Sequence, residues 1–284
     1  MKLLSHIYSI FTFVFFDIRE MLRKWTGIPF YTVNALRYAF LKQPAGLSIS
    51  SGCILPVLHD RFSQAGAVRG HYFHQDLWMA RKVKNIAPGR HSSGGSVPKA
   101  SGPQNGHVDV GSRMDGFVAH LLSFMDVTYV DIRQVDSSVP GLKYENGSVL
   151  LLPYANNSMK SISCLHVIEH VGLGRYGDPV DPFGHEKAAK ELARVLSPGG
   201  RLYIGLPVGR KKLCFDAHRI FKASEVPAMF PGCTLEEFAL IDDSGAGVKE
   251  KASLTDADQC DFGCGLFIFS KAGPGNEEIG SRNK

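Results

Sequence analysis

No apolar run in this chain is long enough to cross a bilayer. The longest, Ile7 to Phe16, is well short of the roughly 20 residues a spanning helix needs. No small-residue cleavage site follows it, which argues against a cleaved signal peptide. Cysteine is sparse and scattered, at 53, 164, 214, 233, 260 and 264. Cys260 and Cys264 form the one close pair, with no second pair at zinc-finger spacing, so neither a disulfide framework nor a zinc ribbon is expected. A reducing, cytoplasmic setting follows. Dense basic blocks are missing too, and the formal net charge is a mild +5, so nucleic acid is not an expected partner. No Lys-bearing P-loop occurs, which removes the usual cradle for a nucleoside triphosphate.

What is there begins with an apolar N-terminal segment. Leu3, Ile7, Ile10, Val14, Ile18, Met21 and Trp25 recur at helical spacing. The helix either packs on the rest of the protein or lies in the plane of a membrane surface. Tyr8, Phe11, Phe13, Phe15 and Phe16 suit the second, a peripheral contact through residues 1–25. Residues 1–86 read as a helical extension that includes a helix from His71 to about Asn85, whose His71, His74, Asp76 and Trp78 suit either a lid or a packed helix. Residues 87–106, rich in Gly, Ser and Pro, read as a flexible linker or insertion. Residues 107–271 alternate strand and helix, and 272–284 form a polar, disordered tail.

Strands are expected near 107–111, 127–131, 146–151, 161–165, 201–206, 236–241 and 264–270, with helices over 116–124, 166–171, 185–196 and 223–229. The last two strands lack a convincing crossover helix between them, so an antiparallel pair at the sheet edge is expected. The most informative stretch is His107-Val-Asp-Val-Gly111-Ser-Arg-Met-Asp-Gly116, a strand that enters a glycine turn and then a helix. A second strand ends on Asp131, about 20 residues beyond the turn, where Rossmann-type sites place a carboxylate on a ribose. These features define a site for a nucleoside-bearing cofactor. The glycine turn lacks the spacing that admits a pyrophosphate, so a nicotinamide-dependent oxidoreductase fits poorly.

Over residues 107–270 the chain resembles the class I S-adenosylmethionine-dependent methyltransferases, most of all the branch called domain of unknown function 268. The segments that carry it are His107 to Gly116, Tyr129-Val-Asp131, Gly147 to Tyr154, Ser158 to Ile162 leading into His166-Val-Ile-Glu-His170, and Glu191 to Ile204 with its Pro-Gly-Gly turn. The resemblance implies an α/β, Rossmann-like methyltransferase fold. It has a mostly parallel seven-stranded sheet, helices on both faces, an antiparallel edge strand, and the N-terminal helical extension added. It implies S-adenosylmethionine as cofactor, held by Asp109, Gly111, Arg113, Gly116, Asp131, Ile132, Ser148, Val149 and Leu165. Asp131 would accept both ribose hydroxyls, and Ile132, Ser148 and Val149 would face the adenine. The glycine motif departs from the family's pattern: Arg113 and Asp115 stand where two further glycines are usual, and Gly116 comes one residue late.

His166-x-x-Glu169-His170 has the spacing that gathers three side chains on one helix face. In two methyltransferase groups that it resembles, matching residues bind a divalent metal beside the acceptor hydroxyl. The metal set implied here is His166, Glu169, His170 and His218. Without a metal, His170 or His166 is the expected general base. Arg175, Tyr176 and Asp178, together with Arg210 beside Lys211 and Lys212, are candidate acceptor contacts. The expected activity is O-methylation of a small polar or glycan-type acceptor. The alternative is a cofactor-binding scaffold or membrane-associated module without turnover.

Overall fold

The computed structural model describes residues 18–42, 56–58, 68–86 and 106–273. Residues 1–17, the linker over 87–105 and the tail from 274 lie outside these. The chain divides into two compact units, Met1–Ala67 and Val68–Lys284. In the first, α1 (Ile18–Phe40) continues through Pro29 and shows Trp25, Val33, Leu36 and Phe40 on its exposed surface. Among the described residues no helix is long and apolar enough to cross a membrane.

The second unit holds the sheet. After α2 (His71–Ile86) come β1 (His107–Val110), a π-helical turn (Met114–Val118) that runs into α3 (Ala119–Leu122), β2 (Val127–Asp131), β3 (Leu142–Asn146) and β4 (Met159–Leu165). Then follow α4 (Gly184–Val195), β5 (Leu196–Val208), a hairpin of β6 (Lys212–Cys214) and β7 (His218–Ile220), a 3-10 segment (Ala223–Met229), β8 (Cys233–Ile241), α5 (Leu254–Ala257) and β9 (Gly263–Lys271). The seven-stranded sheet runs β3-β2-β1-β4-β5-β9-β8. Pairing is parallel from β3 to β5, and β9 is antiparallel to both β5 and the edge strand β8. This is the Rossmann-like methyltransferase fold expected from the sequence.

Each face carries its own apolar layer. On one side α2 buries Trp78, Met79, Ala80 and Val83 against Phe117, Leu121, Tyr203 and Leu266. That burial ties α2 to the sheet; each such side chain contributes about 1.5–3 kcal/mol. On the other side α4 buries Ala188, Ala189, Leu192 and Val195 with Ile162, Ile204 and Phe230. The spacing 188, 189, 192, 195 is a helical stripe, and the Lys271 ammonium donates to the Ala193 carbonyl near the helix end. At the sheet centre β1 buries His107, which is hydrogen-bonded to the Ser161 and Ser163 hydroxyls of β4.

Several local expectations are corrected. The third strand is Leu142–Asn146, not 146–151, because β2 and β3 pair from Val127↔Leu142 to Asp131↔Asn146 and stop together. Ser148 and Leu151 then close a turn. Residues 166–171 form turns instead of a helix: His166 takes a left-handed φ of 53°, and its N–H bonds to the Gly205 carbonyl. The 223–229 segment, which contains Pro227, is 3-10 and not α-helical. β5 begins at Leu196, through the Pro198-Gly199-Gly200 turn, with a register shift opposite Met159 and Ser161. The β6–β7 hairpin is unanticipated.

Candidate active site

The site lies at the carboxyl ends of β1, β2 and β4, where ligands enter open α/β sheets. Its base is the turn after β1. Gly111 has φ +71°, donates its N–H to the Val130 carbonyl, and leaves space that a Cβ would close against Val167 at 3.2 Å. Asp109 fixes this turn from below. Its buried carboxylate accepts from the Ser112 N–H (3.0 Å), the Ser112 hydroxyl (2.6 Å) and the Ser163 hydroxyl. Burial raises its pKa to about 7.

Three neighbouring cavities open above the turn. The first is lined by Gly111, Asp131, Ile132, Ser148 and Val149 among others. The second runs past Tyr72, Arg113, Tyr129, Arg133 and Leu165. The third lies among His71, Glu169, Arg175, His218 and Phe262. His166, His170 and Tyr176 line all three. Three adjoining spaces therefore meet around one histidine pair.

Asp131 stands at the tip of β2, nearly buried. It accepts from the Arg133 N–H (2.8 Å), Arg133 Nε (3.0 Å), Arg133 Nη2 (2.8 Å) and the Tyr129 hydroxyl (2.9 Å). Burial pushes its pKa up, but these donors outweigh it and hold the carboxyl below its ordinary value. Arg133, more than half exposed, lies over the Tyr176 ring at 4.9 Å. It was absent from the sequence-based set, although its position two residues past the strand-tip acid is the local signal.

Other expected cofactor residues divide. Ile132, Ser148 and Val149 share the first cavity with Asp131, and Leu165 lines the second. Asp109 and Gly116 line none of the three. Asp109 spends its oxygens on the turn, and Gly116 gives room to Asp76, whose Oδ2 would lie 2.0 Å from an added Cβ. Arg113 is engaged by Asp115 through Nε (2.6 Å) and Nη2 (2.8 Å) and lies over Tyr72.

The histidine pair is asymmetric. His166 donates Nδ1–H to Glu169 Oε1 at 2.7 Å, and its Nε2 lies 3.5 Å from Cys264 Sγ. Burial disfavours its charge, yet Cys264 and Glu169 outweigh burial and raise its pKa. His170 donates Nδ1–H to the Ala217 carbonyl at 2.6 Å, so its Nε2 carries the lone pair. Burial is the main reason its pKa is lowered. Glu169 is fully buried, and its Oε2 has no hydrogen-bond partner.

The metal set implied by the family is brought together only in part. Among the described residues His166, Glu169, His170 and His218 do not gather into a ligating group. The chain turns at His166 where a helix was expected, and the His218 ring packs against Phe262 at 5.0 Å, while Glu169 Oε1 lies 2.7 Å from His166 Nδ1 and 3.7 Å from His170 Nε2. Of the expected acceptor residues, Arg175 lines the third cavity and donates to the Ala217 carbonyl (2.9 Å). Asp178 reaches the first cavity and accepts from the Gly172 N–H at 2.6 Å. Arg210 lines none of the three and pairs with Asp261 on the surface.

Sheet order and strand directions give the chain the class I methyltransferase architecture. Residues 152–254 match the model of a family described as Caenorhabditis protein of unknown function, DUF268. No curated protein matches the sequence. Among solved structures, a putative methyltransferase from Bacillus halodurans is 15% identical over 68% of this chain and 98% of its own, with a TM-score of 0.43. N-methyltransferase NodS from Bradyrhizobium japonicum, solved with S-adenosylhomocysteine, is 15% identical over 58% of this chain and 76% of its own, at 0.39. A putative sarcosine dimethylglycine methyltransferase from Galdieria sulphuraria is 15% identical over 69% and 84%, at 0.44.

Proposed function

We propose that this protein is an S-adenosylmethionine-dependent methyltransferase, acting on a hydroxyl of a small polar or glycan-type acceptor. The observation that carries the reading is the first cavity, where a strand-tip carboxylate, a left-handed glycine turn and the Ser148–Val149 turn face one another beside His170. Asp131 suits a ribose diol because it is ionised and accepts only. Ile132 and Val149 offer apolar walls to an adenine, with Ser148 at its edge.

When bound, adenosylmethionine supplies an electrophilic methyl on a sulfonium. The chain's task is to hold an acceptor hydroxyl in line with that methyl and to take its proton. His170 suits the second part. Its Nδ1–H is fixed on Ala217, its Nε2 carries the lone pair with Glu169 Oε1 3.7 Å away, and its lowered pKa keeps it neutral at physiological pH. His166, with Nδ1–H on Glu169 and Nε2 against Cys264 Sγ, is the poorer base. Arg175 and Tyr176 border the acceptor side.

Calorimetry tests the cofactor: S-adenosylhomocysteine binds and NAD does not. Methyl transfer from labelled adenosylmethionine to a panel of hydroxyl acceptors tests turnover, and loss of transfer in His170→Gln with binding retained supports the base. One observation favours a second reading, a binding scaffold without turnover: Arg133 already occupies both Asp131 oxygens. Binding without transfer across the panel would select it.

A further inference from the structure

We infer that His71, His166 and Cys264 form a binding site for a thiophilic divalent cation of the zinc class, sharing only His166 with the four residues the family pattern implies. One ligand atom from each of these residues lies within 4.8 Å of the others, and no other such group occurs among the described residues. His166 Nε2 and Cys264 Sγ are 3.5 Å apart. Zinc–nitrogen and zinc–sulfur bonds of tetrahedral sites put N and S about 3.5–3.6 Å apart, so this edge already has its bound length. Two imidazoles and one thiolate suit zinc and disfavour magnesium or calcium, which demand oxygen.

The surroundings support these ligands as metal sites do. His166 gives its other ring N–H to the buried Glu169 carboxylate at 2.7 Å. His71 gives its Nε2–H to the Phe262 carbonyl at 3.1 Å, which fixes its tautomer with the lone pair on Nδ1. The Phe262 backbone is held in turn, through its N–H on Asp243 Oδ1 at 2.7 Å.

Charge balance points the same way. Cys264 and Glu169 are both buried, and Glu169 Oε2 has no hydrogen-bond partner. A thiolate, a carboxylate and a divalent cation sum to zero. Binding displaces the Cys264 thiol proton, and any proton on His166 Nε2, to solvent. Three protein ligands leave a fourth position for water, the pattern of open rather than closed zinc sites. His71 and His166 line the third cavity, so this position faces the acceptor's place. That an acceptor heteroatom takes it rests on the methyltransferase reading; the metal site itself does not.

The test uses the full chain stripped with chelator and titrated with cobalt(II). The expected result is one equivalent bound, with a thiolate-to-cobalt charge-transfer band and the strong visible bands of a tetrahedral ion, and release on adding zinc. Cys264→Ser should abolish the charge-transfer band. Should that buried substitution unfold the chain, Glu169→Gln is the second variant, expected to weaken cobalt binding about 10–100-fold while leaving the band in place. His71→Asn should weaken it likewise. A weak octahedral spectrum, or a charge-transfer band that survives folded Cys264→Ser, overturns the site. S-adenosylhomocysteine binding to the stripped protein is measured separately, so failure of the cofactor reading and failure of the metal site give different results.

Discussion

Asp131 gives the sharpest test of the proposed pocket. In the free protein its carboxylate is already in use, so a ribose diol must displace the Arg133 side chain. Two hydroxyls donating to an ionised acceptor are worth about 3–6 kcal/mol together. Against this stands the Arg133 pair, which is more than half exposed on the arginine side and worth about 1 kcal/mol or less. The net gain is about 2–5 kcal/mol, or roughly 30- to 5,000-fold in affinity. Asp131→Ala should lose that whole range. Asp131→Asn keeps one acceptor oxygen and should lose about half the free energy, some 5- to 70-fold.

The order wild type, Asn, Ala is read by calorimetry with S-adenosylhomocysteine, with thermal unfolding of each ligand-free variant as the control. Fold should survive either change. Arg133 is left facing solvent, and the Tyr129 hydroxyl, 3.0 Å from the Ser112 carbonyl, keeps an acceptor there. Arg133→Ala supplies the opposite sign: with the competitor gone, binding should be equal or tighter by up to about fivefold. If Asp131→Ala binds within about twofold of wild type, the ribose is elsewhere and the pocket assignment fails.

Three further outcomes are expected. His170→Gln should lower kcat about 10²–10⁴-fold with cofactor affinity unchanged, and wild-type kcat/KM should rise with pH to a plateau, its midpoint below the ordinary 6.5 of histidine. Burial sets that direction, helped by Arg175 and His166 and opposed by Glu169 and the Ala217 carbonyl; a midpoint above 6.5 would count against His170 as base. Gly111→Ala should cost about 1–3 kcal/mol of stability, because it forces a left-handed alanine against Val167, and a melting temperature equal to wild type would contradict this. Asp109→Asn should change how stability depends on pH. In the fold Asp109 keeps its proton to about 7 against 3.8 unfolded, so its contribution falls as pH rises through that window; His107, lowered by burial to about 3, contributes stability that is lost as pH falls below 6.5. The two slopes oppose each other in wild type, and urea titrations from pH 4 to 7 should show the Asn variant gaining stability with pH, by up to about 4 kcal/mol relative to wild type.

The fold was legible because its signals are local. Val108–Val110, Val127–Val130 and the stripe 188, 189, 192, 195 on α4 each declare their element within a few residues, and the Gly111 turn and Asp131 are positioned by one strand each. Errors fell where a neighbour decides. Whether the third strand is 142–146 or 146–151 is set by register with β2, since both stretches have enough apolar residues to pair. The turn at 166–171 was read as a helix because H-x-x-E-H spacing is helical, while the left-handed His166 that breaks it depends on the Gly205 carbonyl of β5.

The acceptor side shows the same limit more strongly. His166 and Cys264 are 98 residues apart in sequence, and His71 reaches Phe262 across 191. No spacing rule joins them. What joins them is the position of β9 between β5 and β8, which carries Cys264, near the start of that antiparallel strand, to the carboxyl end of β5, and the burial of Trp78 and Met79, which brings the start of α2 over the same strand ends. Both are consequences of core packing, so the His71–His166–Cys264 cluster emerges only once the sheet is assembled. One member, His166, and two of its neighbours, Glu169 and His170, are visible in the sequence, where helical spacing joins them through a helix that does not form. The chemistry of the strand-tip pocket is encoded locally; that of the acceptor cavity is encoded in the order of the strands.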